Sequence, residues 1–145
     1  MKLLIQRVSH ASVEVKSETL GTIGQGILAF VGIEKHDTPE LLFKMANRLL
    51  AYRVFPDAEG KMNLSLKETY GELLVISQFT LAADTRKGLR PSFSSAAVPE
   101  QAQALFDQFV NYLKKVHPIV ETGQFAADMK VTLLNDGPVT FLLEM

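Results

Sequence analysis

Ile27-Leu28-Ala29-Phe30-Val31-Gly32-Ile33 is apolar at every position. A strand with one wet face alternates polar and apolar residues, so an unbroken run predicts a strand covered on both faces. A second run of this kind, Leu73-Leu74-Val75-Ile76, follows downstream. Two helical patterns supply part of the cover. Asp37-Thr38-Pro39-Glu40 reads as a helix start: a capping side chain, proline in the first turn, an acid at the positive end of the dipole. Leu41, Leu42, Met45, Ala46, Leu49 and Leu50 then recur at helical spacing, and the helix should end near Ala51. Pro99-Glu100 opens the second helix, with Ala102, Leu105, Phe106, Phe109, Leu113 and Val116 as its stripe. Lys114, Lys115 and His117 suit its negative end, and Pro118 stops it. Two helices cannot cover both faces of a large sheet. The expectation is therefore an α/β fold: a curved, barrel-like mixed β-sheet in α/β/β layers, with two long helices packed on one side. A doubly wound nucleotide fold is disfavoured, because no glycine-rich phosphate loop follows the first strand.

Working outward, residues 2–16 predict a strand, a short break and a second strand. In the second, Ala11, Val13 and Val15 alternate with Ser12, Glu14 and Lys16. Tyr52-Arg53-Val54-Phe55 predicts a short strand closed by a turn at Pro56-Asp57-Ala58-Glu59-Gly60. Asp57 and Glu59 before Gly60 have the flavour of a calcium loop, but the remaining ligands are absent and no metal is expected. Further strands are expected near 119–122, 130–134 and 139–143. With 145 residues and no linker or repeat, the chain reads as a single domain, 1–145. A net charge of −1 draws the whole molecule to neither nucleic acid nor membrane, so any anion-binding surface must be a local patch. The absence of cysteine removes thiolate nucleophiles and zinc–thiolate sites, and suits a cytoplasmic protein. Gln6 and Arg7 break the initial apolar run before it reaches signal-peptide length, and no run approaches the ~18–20 residues of a membrane span.

Chemistry is sparser. Ser77 and Thr80 stand at the end of a strand, where nucleophiles often stand. Yet a hydroxyl needs a base, and His10, His36 and His117 lie far away in sequence. Backbone N–H groups freed around Phe79-Thr80 offer another route, stabilising an oxyanion while Gln78 and Thr80 orient; equally, these two side chains could serve only their local backbone. Arg86, Lys87 and Arg90 place three cations in a five-residue loop, either a solvated loop or a grip on phosphates. Phe125, among small residues, suits the core or a stacking platform. Finally, Asn135-Asp136-Gly137-Pro138 lies between two apolar runs. It reads as a turn joining antiparallel strands, at a bond able to be cis.

Leu4-Ile5-Gln6-Arg7-Val8, Ala11-Ser12-Val13, Asp57-Ala58-Glu59-Gly60-Lys61-Met62-Asn63-Leu64, Ser77-Gln78-Phe79-Thr80-Leu81, Gly88-Leu89-Arg90-Pro91-Ser92-Phe93 and Asn135-Asp136-Gly137-Pro138-Val139-Thr140 together resemble the D-aminoacyl-tRNA deacylase family, end to end. The Ser-Gln-Phe-Thr and Gly-Pro-Val-Thr segments match its two motifs. The resemblance implies hydrolysis of the ester between a D-amino acid, or glycine, and the tRNA 3′ end, a step of translation quality control. It implies a homodimer with active sites at the subunit interface, acting on aminoacyl-tRNA; no cofactor, no metal and no membrane are expected.

By the same resemblance Ser77, Gln78, Phe79 and Thr80 are the catalytic positions. Gly137 and Pro138 form a cis pair offered to the partner's site, where carbonyl oxygens facing the substrate's α-carbon exclude an L side chain. Arg7 holds that pair, Phe125 lies near the terminal adenine, and Met129 joins the substrate-binding group. Whether Thr80 attacks or only orients stays open, though the missing base favours a water activated with help from the ribose 2′-hydroxyl. A non-catalytic RNA-binding module is the rival reading, using the basic loop and Phe125; a small-molecule esterase is disfavoured by the missing triad.

Overall fold

The computed structural model describes residues 1–145. In order they form β1 (Lys2–Val15), β2 (Glu18–Ile23), β3 (Gly26–Gly32), α1 (Pro39–Ala51), β4 (Arg53–Pro56), β5 (Met62–Ser65), α2 (Leu66–Thr69) and β6 (Glu72–Ser77), then a 3-10 turn (Phe79–Ala82), α3 (Pro99–Val116), β7 (Val120–Thr122) and β8 (Lys130–Glu144). β1 is the spine. Along one edge its first half pairs antiparallel with β3 and its second half with β2; along the other it pairs with β8 from Lys2–Glu144 to Glu14–Lys130. Parallel pairs β3–β6 and β6–β7 extend the sheet.

The apolar run of β3 is buried from both sides, for the reason its sequence required. Ile27, Ala29 and Val31 join Leu3, Ile5, Leu73 and Val75 under Leu42, Met45 and Leu49 of α1 and Phe106, Phe109 and Leu113 of α3. Leu28 faces the other way, into a second core with Val8, Ala11, Val13, Ile23, Leu74 and Ile76. β1 thus serves both cores, its first half under the helices and its second half curled over the opposite face. Close to the curl, a Cβ on Gly21 of β2 would lie 3.1 Å from the Glu121 Cβ of β7, so the sheet nearly closes on itself. The result is a mixed α/β fold with a barrel-like sheet and both long helices on one side. No helix is long and apolar enough to cross a membrane.

Local chemistry sets the helix ends as expected. Thr38 caps α1, accepting from the Leu41 N–H at 3.4 Å. Three features differ from the sequence reading. β1 is one strand of 14 residues without a break. β5 and α2 are additional elements; Ser65 caps α2, and its N–H and hydroxyl both reach Glu68 Oε2, at 2.7 and 2.6 Å. Those bonds hold the Glu68 carboxyl below its ordinary range. Finally, residues 130–134 and 139–143 are not arms of a hairpin. Both pair with β1 in one direction, and 135–140 is a bulge in a single strand, with Asn135 opposite Val8 and Thr140 opposite Gln6.

Candidate active site

β6 ends at Ser77, level with Val31 of β3, and the Gln78 N–H donates to the Val31 carbonyl at 2.7 Å. The chain then tightens into the 3-10 turn, whose first closed bond runs from the Leu81 N–H to the Gln78 carbonyl at 3.2 Å. The N–H groups of Phe79 and Thr80 precede that bond and so have no acceptor within the turn. Gly32 makes room for it: a Cβ there would lie 2.8 Å from the Leu81 Cβ. Beside the turn opens a cleft of about 520 Å³, mostly apolar. Ser77, Gln78 and Phe79 line it, as do Phe125 and Met129 from the segment after β7. Phe125 also rests on Phe106 of α3, ring centroids 6.0 Å apart, so it belongs to both core and cleft. Thr80 is exposed, and its hydroxyl accepts a short hydrogen bond from Gln78 Nε2.

Arg7, Gly137 and Pro138 form a separate group. None of them lines the cleft. The Gly137–Pro138 bond is cis and both residues are exposed. Arg7 straps the bulge down from below: its Nε donates to the Asp136 carbonyl at 2.9 Å and its Nη1 to the Val54 carbonyl at 2.6 Å. Asn135 closes the bulge from within. Its Oδ1 accepts from the Val139 N–H at 2.8 Å, while its Nδ2 reaches the Val139 carbonyl at 3.3 Å and Thr140 Oγ1 at 3.2 Å. Gly137 sits at φ +143°, and a Cβ would meet Val139 Cγ2 at 2.6 Å, Val139 N at 3.0 Å and Arg7 Nη2 at 3.1 Å. Only glycine fits there without displacing the strap.

The sequence model of the D-Tyr-tRNA(Tyr) deacylase family matches residues 4–144. The chain belongs to that family. D-aminoacyl-tRNA deacylases of Teredinibacter turnerae and Saccharophagus degradans are each 67% identical to it, over 99% and 100% of both chains. A solved structure named c-Myc DNA Unwinding Element Binding Protein superposes with TM-score 0.96 at 40% identity, covering 100% of this chain and 99% of the other. A probable eukaryotic D-amino acid tRNA deacylase shares the fold, with TM-score 0.87 at 17% identity and coverage of 99% and 98%. The deacylase family consists of hydrolases that act on ester bonds, and this chain is one of them.

The remaining candidates sort cleanly. His117 is buried, its Nε2 2.8 Å from the Gly71 carbonyl, and ties α3 to the start of β6. His10 and His36 are exposed, and the hydroxyl of Thr80 is partnered by an amide rather than an imidazole. Asp57 spends both oxygens on its own loop, accepting from Glu59 N–H and Lys61 N–H at 2.9 Å and from Asn63 Nδ2 at 2.8 Å. The bond from Asn63, then those from the backbone, hold its carboxyl below the ordinary range. Sequence reasoning gave no role to Asn135 or to Ala126, a non-glycine residue at φ +57° in the cleft wall. For Asn135 a signal existed: asparagine is depleted in strand interiors and is good at closing backbone turns with its side chain.

Proposed function

We propose that this protein hydrolyses the ester joining a D-amino acid, or glycine, to the 3′ end of tRNA, and that it spares L-aminoacyl-tRNA by exclusion. The observation that carries this reading is the exposed Gly137-Pro138 pair, locked by Arg7 and Asn135 on a surface apart from the cleft. A loop held that firmly, with its backbone presented outward, suits insertion into the cleft of a second copy. The working unit is then a homodimer, each active site combining the Ser77–Thr80 wall of one protomer with the Gly-Pro pair of its partner. There the pair's carbonyl oxygens stand against the substrate's α-carbon and leave no room for an L side chain.

In the cleft, Phe125 and Met129 supply an apolar seat for the terminal adenosine and the aminoacyl group. Water attacks the ester carbonyl and the oxyanion is met by the N–H groups of Phe79 and Thr80. The carbonyl re-forms as the bond to the ribose 3′-oxygen breaks, and that oxygen takes up a proton. The ribose 2′-hydroxyl helps to activate the water, because Thr80 has no base beside it.

The relative named for DNA binding favours a second reading, a nucleic-acid-binding module without catalysis. One assay separates them. Incubated with D-Tyr-tRNA and L-Tyr-tRNA without added metal, the protein is expected to release D-tyrosine and leave the L ester intact. Binding without release would favour the module.

A further inference from the structure

We propose that the loop from Asp84 to Ser92 is a phosphate-gripping arm, and that Lys87 and Arg90 hold the sugar–phosphate backbone of the RNA whose 3′ end enters the cleft. The inference rests on the tRNA substrate proposed above and adds the surface that would carry its body. The loop leaves the 3-10 turn directly, Asp84 following the capping residue Ala83. Its far end returns to the same place, because Phe93 packs on Phe79 of the cleft wall with ring centroids 5.1 Å apart. Any polynucleotide with its last nucleoside in the cleft has this loop at the rim.

The loop is built rather than loose. Asp84 and Ser92 exchange backbone hydrogen bonds of 2.7 and 3.0 Å across its neck. Arg86 folds back on Asp84 in a two-pronged pair, Nε to Oδ1 at 2.9 Å and Nη2 to Oδ2 at 2.6 Å. That pair neutralises Arg86 and stiffens the neck, so the three cations counted in sequence are not equivalent. Lys87 and Arg90 are exposed and belong to none of the salt bridges. Leu89 stands wholly exposed between them. On a chain of net charge −1, two uncompensated cations on a braced arm at the rim form a local patch suited to phosphates rather than a general basic surface.

The test is equilibrium binding of uncharged tRNA to the full chain across a range of salt. Lys87→Gln with Arg90→Gln should weaken binding on the order of tenfold or more at ~0.1 M salt, since two phosphate contacts are lost. The slope of log affinity against log salt should flatten by about two, roughly one per contact. Lys114→Gln with Lys115→Gln, the same charge change at the end of α3, should leave binding as it was. Lys87→Arg with Arg90→Lys should restore most of it. Equal binding by the loop and control variants overturns the arm, as does a wild-type protein that does not bind tRNA. If wild type binds through the loop yet fails to cleave D-Tyr-tRNA, the arm stands and the deacylase reading falls.

Discussion

At Thr80 two chemistries compete: the hydroxyl attacks, or it orients. A nucleophilic hydroxyl must hand its proton to a base, and the side chain bonded to Thr80 is the Gln78 amide, which is not a base. Thr80→Ala should therefore keep deacylation of D-Tyr-tRNA within about tenfold of wild type, as expected for loss of an orienting contact. Single-turnover rates check this, and a fall of three orders of magnitude in a folded variant would make Thr80 the attacking group. Gly137 poses the opposite case, where the absent side chain matters. An alanine in its place would strain a positive φ and press on Val139 and the Arg7 guanidinium. Such strain costs of order 1–3 kcal/mol, and it falls on an exposed bulge rather than on either core. Gly137→Ala should lose most of its turnover while thermal unfolding shifts by only a few degrees. A variant that keeps full D-substrate turnover and still rejects the L ester would count against the role given to this residue.

Elements position these residues, and the 3-10 turn after β6 is the critical one. It nests on Gly32 with no space to spare, so Gly32→Ala should push Leu81 outward and drag Gln78 and Thr80 with it. The expected result is a loss of about 1–3 kcal/mol in stability from overpacking, with kcat falling more than binding, read by denaturant unfolding beside steady-state kinetics. The Asp84–Arg86 brace gives a pH prediction. The hydrogen bonds and charge from Arg86 depress the folded pKa of Asp84, so the brace contributes above the ordinary carboxylate range and is lost as pH falls through that lowered value. By NMR the Asp84 carboxyl should titrate well below its usual range, and Arg86→Gln should bring it part of the way back, since the backbone N–H of residue 86 still donates to it. What the sequence could say about elements followed physical signal strength. The runs 27–33 and 73–76 were legible because covering both faces leaves no polar position. The helices were legible because Thr38, Pro39, Pro99 and Pro118 mark their ends chemically. Continuous β8 was not, because Asn-Asp-Gly-Pro satisfies the rules for a hairpin turn and a strand bulge alike; only the pairing of both halves with β1 separates them. β5 and α2 are four residues each, too short for periodicity, though Ser65-Leu66-Lys67-Glu68 carried a capping box.

The whole molecule presents a cleft beside Ser77–Phe79 and an exposed Gly137-Pro138 bulge that does not line it. Sequence motifs named both, but no local pattern could say that they lie apart, since that depends on how β1 and β8 curl. If the loop serves the partner's cleft, lesions in the two parts must complement each other in a mixed dimer. Take Gly137→Ala, damaged in the loop, and Gln78→Ala, damaged in the cleft. In a mixed dimer of two-fold symmetry one site inherits both lesions, and the other combines an intact cleft with an intact loop. After unfolding and refolding together at equal amounts, roughly half of the dimers should be mixed, and so roughly a quarter of all sites restored. D-Tyr-tRNA turnover by the mixture should rise toward that fraction of wild type, well above either variant refolded alone. A loop that served its own protomer's cleft would yield no restored site. Activity of the mixture equal to the mean of the two variants would therefore return the Gly-Pro pair to its own chain.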